Sequence, residues 1–160
     1  MDLMIKNYIK RSENEIVVAE ILYKTSKEQN AKEYFSISDD LTFYSSVISH
    51  CYYAIFYSAK AILLTTDIRT KSPEIHRKTF DEFKKNFVDT GMLDVKLLEI
   101  YKKIVVRADE ILDIFRDEKS KRGNFTYNTI PQANEEPAED SLKNSKIFVS
   151  NIIKIMENLK

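Results

Sequence analysis

Between Asp40 and Asp67 the only formally charged residue is Lys60, so any fold of this chain has to cover a segment that is apolar almost all the way round. At helical spacing the segment has three different stripes. Val47, Cys51, Ala54, Ser58 and Ala61 form a stripe of small side chains that lets another helix approach closely. Tyr44, Ile48, Tyr52, Ile55 and Ile62 form a bulky one, and His50, Tyr53, Tyr57 and Lys60 form one that is aromatic but polar-tipped. A run this apolar could cross a membrane. Against that, Ser45, Ser46, Ser49, His50, Ser58 and Lys60 dilute it, and the amphipathic segments around it would lose their common core. The expectation is a central helix, enclosed by the others or shared with a dimer partner, and no membrane.

Four further segments carry apolar residues in 4-3-4 spacing. The first runs from Asp2 to Ser26 with Ile5, Ile9, Ile16, Ala19 and Tyr23 inward. A polar stretch, Lys27 to Asp40, follows, and Ser38, Asp39 or Asp40 can cap the apolar helix, which continues to about Thr66. The third helix is predicted from Ser72, with Pro73 in its first turn, to Gly91, and places His76, Phe80, Phe83 and Phe87 on one face. The fourth starts near Leu93 and carries Leu97, Tyr101, Ile104, Ala108, Ile111 and Phe115, its register continuing to Glu118 and Arg122. After a loop, Gly123 to Asn134, Asn134 can cap a last helix with Ala138, Leu142, Val149, Ile152, Met156 and Leu159 inward. With two Gly and three Pro in 160 residues, a turn-rich all-β design is improbable. The pattern predicts an all-α, up-and-down bundle of about five helices, a single domain over residues 1–160.

Counting removes several chemistries. The 25 basic residues balance the 25 acidic ones, so no global field steers the chain onto nucleic acid or an anionic membrane, and such binding needs a local patch. Cys51 is the one cysteine, which excludes an intrachain disulfide and multi-cysteine metal sites and fits a reducing compartment. His50 and His76 are too few for a His-rich metal centre; no metal and no cofactor are expected. With Gly91 and Gly123 alone, neither a P-loop nor a dinucleotide fingerprint can be written, so a nucleotide would be held by side chains. Met1 to Arg11 lacks the apolar core of a signal peptide, and the expected location is cytoplasmic. His76 reads first as a core histidine satisfied by a neighbour, and Cys51 as packing. The stripe of His50, Tyr53, Tyr57 and Lys60 can line a cleft or a subunit interface, or can pack with its hydroxyls at the edge. Glu118 and Arg122 stand in i, i+4 order, and Lys119, Lys121 and Arg122 suit a helix C-terminus without any ligand.

Local words add a resemblance. The run from Ser49 through Tyr52-Tyr53-Ala54 and Phe56 to Leu63 is similar to the second-helix signature of small prokaryotic HEPN proteins. Ala19 to Leu22 resembles the end of that family's first helix. Lys71 and His76, with Phe80 and Phe83, resemble the Lys and His before its short helix, which ends in a stretch like Phe87 to Gly91. Arg122, Gly123, Asn124, Phe125, Thr126 and Tyr127 resemble the Arg and Tyr of its short variant motif. The resemblance extends from Ala19 onward.

It implies a helical bundle that commonly dimerises, with functional residues near the end of helix four facing a cleft. Many relatives cut RNA without a metal. In those, an Arg clamps phosphate and a His roughly four to six residues later exchanges a proton near neutral pH. Here Arg122 is followed by Asn124, Thr126, Tyr127 and Asn128 and by no His, and a phenol with a pKa near 10 is a poor base at pH 7. Three readings therefore stand. In one, Lys119, Lys121, Arg122 and Asn124 hold a nucleotide or an RNA phosphate, in one half of a toxin–antitoxin-type pair with a small nucleotidyltransferase for which Tyr127 is an acceptor. In another, Arg122 and Tyr127 belong to a ribonuclease in which His50 or His76 replaces the missing His. In the third, the chain is a helical interaction module that binds no nucleotide.

Overall fold

The structure, a computed structural model, describes residues 2–112 and 135–159. Six α-helices follow in order among them: α1 Leu3–Lys27, α2 Gln29–Tyr34, α3 Tyr44–Leu64, α4 Ile75–Phe83, α5 Val95–Leu112 and α6 Glu135–Asn158. A π-helical turn, Lys84–Val88, extends α4. The all-α bundle is therefore as expected, with α2 as an addition that its six residues were too few to announce.

Helix α3 is the centre. Its small stripe is fully buried, and the neighbours that fill it come from the same chain. On α1 the Ser12 hydroxyl donates to the Ala54 carbonyl at 2.7 Å, which brings the two helices close where no bulky side chain intervenes. On α6 Ser145 lies beside Cys51, and burial pushes that thiol up to about 12, so it stays protonated. Of the most apolar window of α3, 78% is buried inside the fold. Its hydrophobic surface is thus used by the core, which is what the central-helix reading expected. A second packing centre joins α4, α5 and α6. Phe83, Tyr101 and Phe148 meet there with ring centroids 5.5–5.7 Å apart, in the tilted and edge-to-face arrangements that the ring quadrupole favours.

Several helix ends differ from expectation. Helix α3 begins at Tyr44 with no side-chain cap of its own; Ser38 spends its hydroxyl on the Asp40 carboxylate, and Asp39 accepts from Gln29. The Phe43 N–H at the entrance is met instead by Ser26 Oγ of α1, 2.7 Å away. Helix α4 starts at Ile75 after Glu74, whose φ is +57°, so Ser72 and Pro73 precede the helix. Gly91, at φ +77°, takes the left-handed position beyond the π turn that a side chain would strain. On α6 the inward stripe holds from Ala138 to Met156, but Leu159 is half exposed, past the last helical residue.

Candidate functional site

The polar-tipped stripe of α3 meets α1 along one face of the bundle. Arg11 donates to the Tyr57 hydroxyl at 2.7 Å, and its guanidinium carbon stands 4.2 Å from that ring's centroid. Tyr8 stacks on Tyr57 at 6.1 Å, and Tyr57 on Tyr53 at 6.1 Å. Lys60 Nζ lies 5.1 Å from the centre of the Tyr8 ring and 5.7 Å from that of Phe56 and donates to the Thr70 carbonyl at 3.2 Å. A cation over an aromatic face gains about 0.5–1 kcal/mol at an exposed site and more when desolvated. Among the described residues no carboxylate is within ion-pair distance of Arg11 or Lys60. At the far end of the stripe His50 Nδ1 pairs with Glu15 at 2.5 Å.

His76 approaches the same stripe from α4. Its ring is 4.5 Å from Phe56 and 6.1 Å from Tyr53, and its Nδ1 is 2.8 Å from the Tyr52 hydroxyl. Burial, then the Lys60 charge, holds this imidazole below the ordinary histidine range. His76 Nδ1 and the Tyr52 hydroxyl share this hydrogen bond, its donor set by the imidazole tautomer; burial keeps that phenol protonated by raising it well above its usual value. The core-histidine reading of His76 holds to the extent that its near nitrogen is satisfied by a neighbour.

Next to this face the chain builds a cleft of about 360 Å³ lined by Tyr8, Lys60, Arg69, Lys71 and Ser72 over apolar side chains including Ile75. The loop that makes its wall is locally specified. Ile68 N–H bonds the Leu63 carbonyl and Asp67 N–H the Leu64 carbonyl, at 3.1 and 3.2 Å, and Asp67 sits at φ +59°; this is a Schellman ending of α3. Thr70 then turns inward and shares a hydrogen bond with Thr79 of α4, Oγ1 to Oγ1 2.7 Å, which leaves Arg69 and Lys71 on the outside.

Of the residues singled out from the sequence, His50, Tyr53, Tyr57, Lys60 and His76 are brought to one face. Lys119, Lys121, Arg122, Asn124 and Tyr127 lie outside the described residues, as do Phe115 and Glu118. The sequence reading missed Tyr8, Arg11 and Glu15. Their signal was present: spaced by three and four, they form a polar-aromatic stripe of α1 next to the apolar one. Where the described residues resume, Asp140 of α6 accepts from Arg107 of α5 and pairs with Lys103, both at 2.8 Å. Lys103 first, then Arg107, holds that carboxyl below the usual carboxylate range. Among the described residues no cluster of three or more His, Cys, Asp or Glu could hold a metal ion.

The HEPN domain family matches residues 19–158. This chain belongs to the HEPN domain family. Two proteins of Methanocaldococcus jannaschii are similar to it. The one named "Putative toxin MJ0142" is 35% identical over 88 residues, 51% of this chain and 58% of that protein. The one named "Putative toxin MJ0605" is 29% identical over 116 residues, 72% of this chain and 73% of that protein. A "UPF0332 protein" of Thermotoga maritima is 26% identical over 115 residues, 72% of this chain and 74% of that one. The family match begins at Ala19, where the local words began, and so leaves the first turns of α1, with Tyr8 and Arg11, outside the matched segment.

Proposed function

We propose that this HEPN protein is a toxin-type module that binds RNA phosphate or a nucleotide without cutting RNA, as one half of a pair with a small nucleotidyltransferase. The observation that carries the reading is the α1–α3 face. Its cations are held over tyrosine rings, Arg11 on Tyr57 and Lys60 on Tyr8, so their charge is positioned and, among the described residues, uncompensated by carboxylate. Such a surface suits phosphates and unstacked bases together. Kinship with two proteins that carry the name "Putative toxin" supports the toxin side of the reading. On it, Lys119, Lys121, Arg122 and Asn124 take phosphate, and the chain works in the cytoplasm as a single-domain homodimer. Tyr127 serves as an acceptor. Its phenol oxygen attacks the α-phosphorus of ATP held by the partner, the new P–O bond forms, pyrophosphate leaves, and the phenolic proton passes to solvent.

A second reading, metal-independent RNA cleavage, is favoured by the place of His76, whose ring stands 4.5 Å from Phe56 and 6.1 Å from Tyr53 on this face and is biased toward its neutral form by burial, then by the Lys60 charge. One assay separates the two. Labelled single-stranded RNA is mixed with purified protein across a salt series, with and without EDTA, beside Arg122→Ala. The binding reading expects intact RNA and an affinity that falls linearly in log–log form with salt. EDTA-resistant cleavage that disappears in Arg122→Ala and in His76→Ala would replace it with the nuclease reading, and absence of any binding would remove both.

A further inference from the structure

We infer that the cleft between the first turns of α1 and the Arg69–Ser72 loop is a site for a terminal phosphomonoester, carried by a nucleotide or by the end of an RNA strand. The inference rests on the phosphate-binding reading above for its choice of ligand, and on the cleft itself for everything else. Lys60, Arg69 and Lys71 all line it, and none of its lining residues is acidic. None of the three cations has an ion-pair partner among the described residues. Three like charges thus line one cleft without an acidic residue among its walls, and one of them, Lys60, also helps to depress the His76 imidazole.

The charge suits a dianion better than a strand backbone. A phosphodiester carries one negative charge, whereas a monoester, with a second pKa near 6, carries close to two at pH 7. It also presents three terminal oxygens, enough for charge-assisted bonds to more than one cation at once. At about 360 Å³ the cleft is near the small end of ligand sites, roughly 300–1,000 Å³, which fits an end group and little more. Its parts are held in advance: Lys60 by the Thr70 carbonyl, and the loop by its Schellman bonds and by Thr70 on Thr79. Ser72 adds a hydroxyl to the lining, and Tyr8 a ring beside which a base or sugar can lie.

The test uses the full chain and one RNA sequence in three forms, with a 5′-phosphate, a 3′-phosphate or hydroxyl ends, measured by fluorescence anisotropy, with AMP and adenosine compared by calorimetry. The variants are Arg69→Ala, Lys71→Ala and the pair together; both side chains are exposed, and circular dichroism verifies that the helices are kept. A phosphorylated end is expected to tighten binding at least tenfold, and the double variant to abolish that advantage while hydroxyl-ended RNA binds as before. AMP binding that needs Arg69 and Lys71, with adenosine inert and no RNA bound, sustains the cleft, identifies the free nucleotide as the source, and removes the RNA reading. RNA that binds equally with every end, together with no AMP binding, overturns the cleft and leaves the RNA reading standing. AMP binding unchanged in the double variant also overturns it.

Discussion

His76 shows what one side chain reports about its surroundings. Burial and the Lys60 charge both favour its neutral form, so the folded pKa is below the ordinary value of 6.5. The unfolded chain then binds the extra proton first. The stability that depends on neutral His76 is complete above the unfolded value and is lost as pH falls through the folded one. Lys60→Met removes the like charge and keeps most of the stem, so the His76 midpoint should rise while staying below 6.5, because burial remains. An NMR titration of the imidazole carbons reads this directly, and a midpoint that does not move would mean that Lys60 is screened from the ring. The position of His76 on a face with Phe80 and Phe83 was visible in the sequence. Its Tyr52 partner was not, since that contact is set by how α4 is rotated against α3, and periodicity within one helix carries no such information.

Helix ends follow the same division between local and tertiary causes. The long helices were legible because their apolar spacing repeats for several turns, and the exit of α3 is local too, closed by its own carbonyls around Asp67. Its entrance was misread for a physical reason. Ser38 and Asp39 are good capping residues, but they are engaged with Asp40 and Gln29, and the donor at Phe43 is satisfied by Ser26 from another helix. Asp67 at φ +59° lends itself to a test at this scale. Asp tolerates the left-handed region, glycine occupies it freely, and a β-branched residue is strained there. Asp67→Val should lower stability by roughly 1–2 kcal/mol, whereas Asp67→Gly should leave it within a few tenths or raise it slightly. Urea denaturation of both variants checks the pair. Equal loss in the two would show that the Asp67 side chain matters rather than its backbone.

At the scale of the molecule, the candidate face was half legible. The α3 stripe from His50 to Lys60 could be read from one helix, but Tyr8, Arg11 and Glu15 join it only because the small residues of α3 let α1 approach at Ser12. The bundle also needs its last two long helices tied together, and Asp140 does so with Lys103 and Arg107. The Arg107 side chain is 23% exposed and Asp140 34%, and Arg107 donates to Ser141 Oγ as well, so the tie is a partly sheltered hydrogen-bonded network rather than a loose surface pair. Solvent still screens it, which limits the cost of Asp140→Asn at pH 7 to about 1 kcal/mol. The sign of the pH dependence follows from the lowered folded pKa. The contribution of Asp140 is full above the ordinary 3.8 and declines as pH falls through the lowered value, where the unfolded state takes up the proton first. A protonated Asp140 and an Asn are both neutral. The stability gap between wild type and Asp140→Asn, measured by urea unfolding from pH 7 down to pH 3, should therefore hold constant until the pH nears the ordinary 3.8 and narrow below it. A gap independent of pH would assign the loss to altered packing of α6 on α5 instead of to the carboxylate.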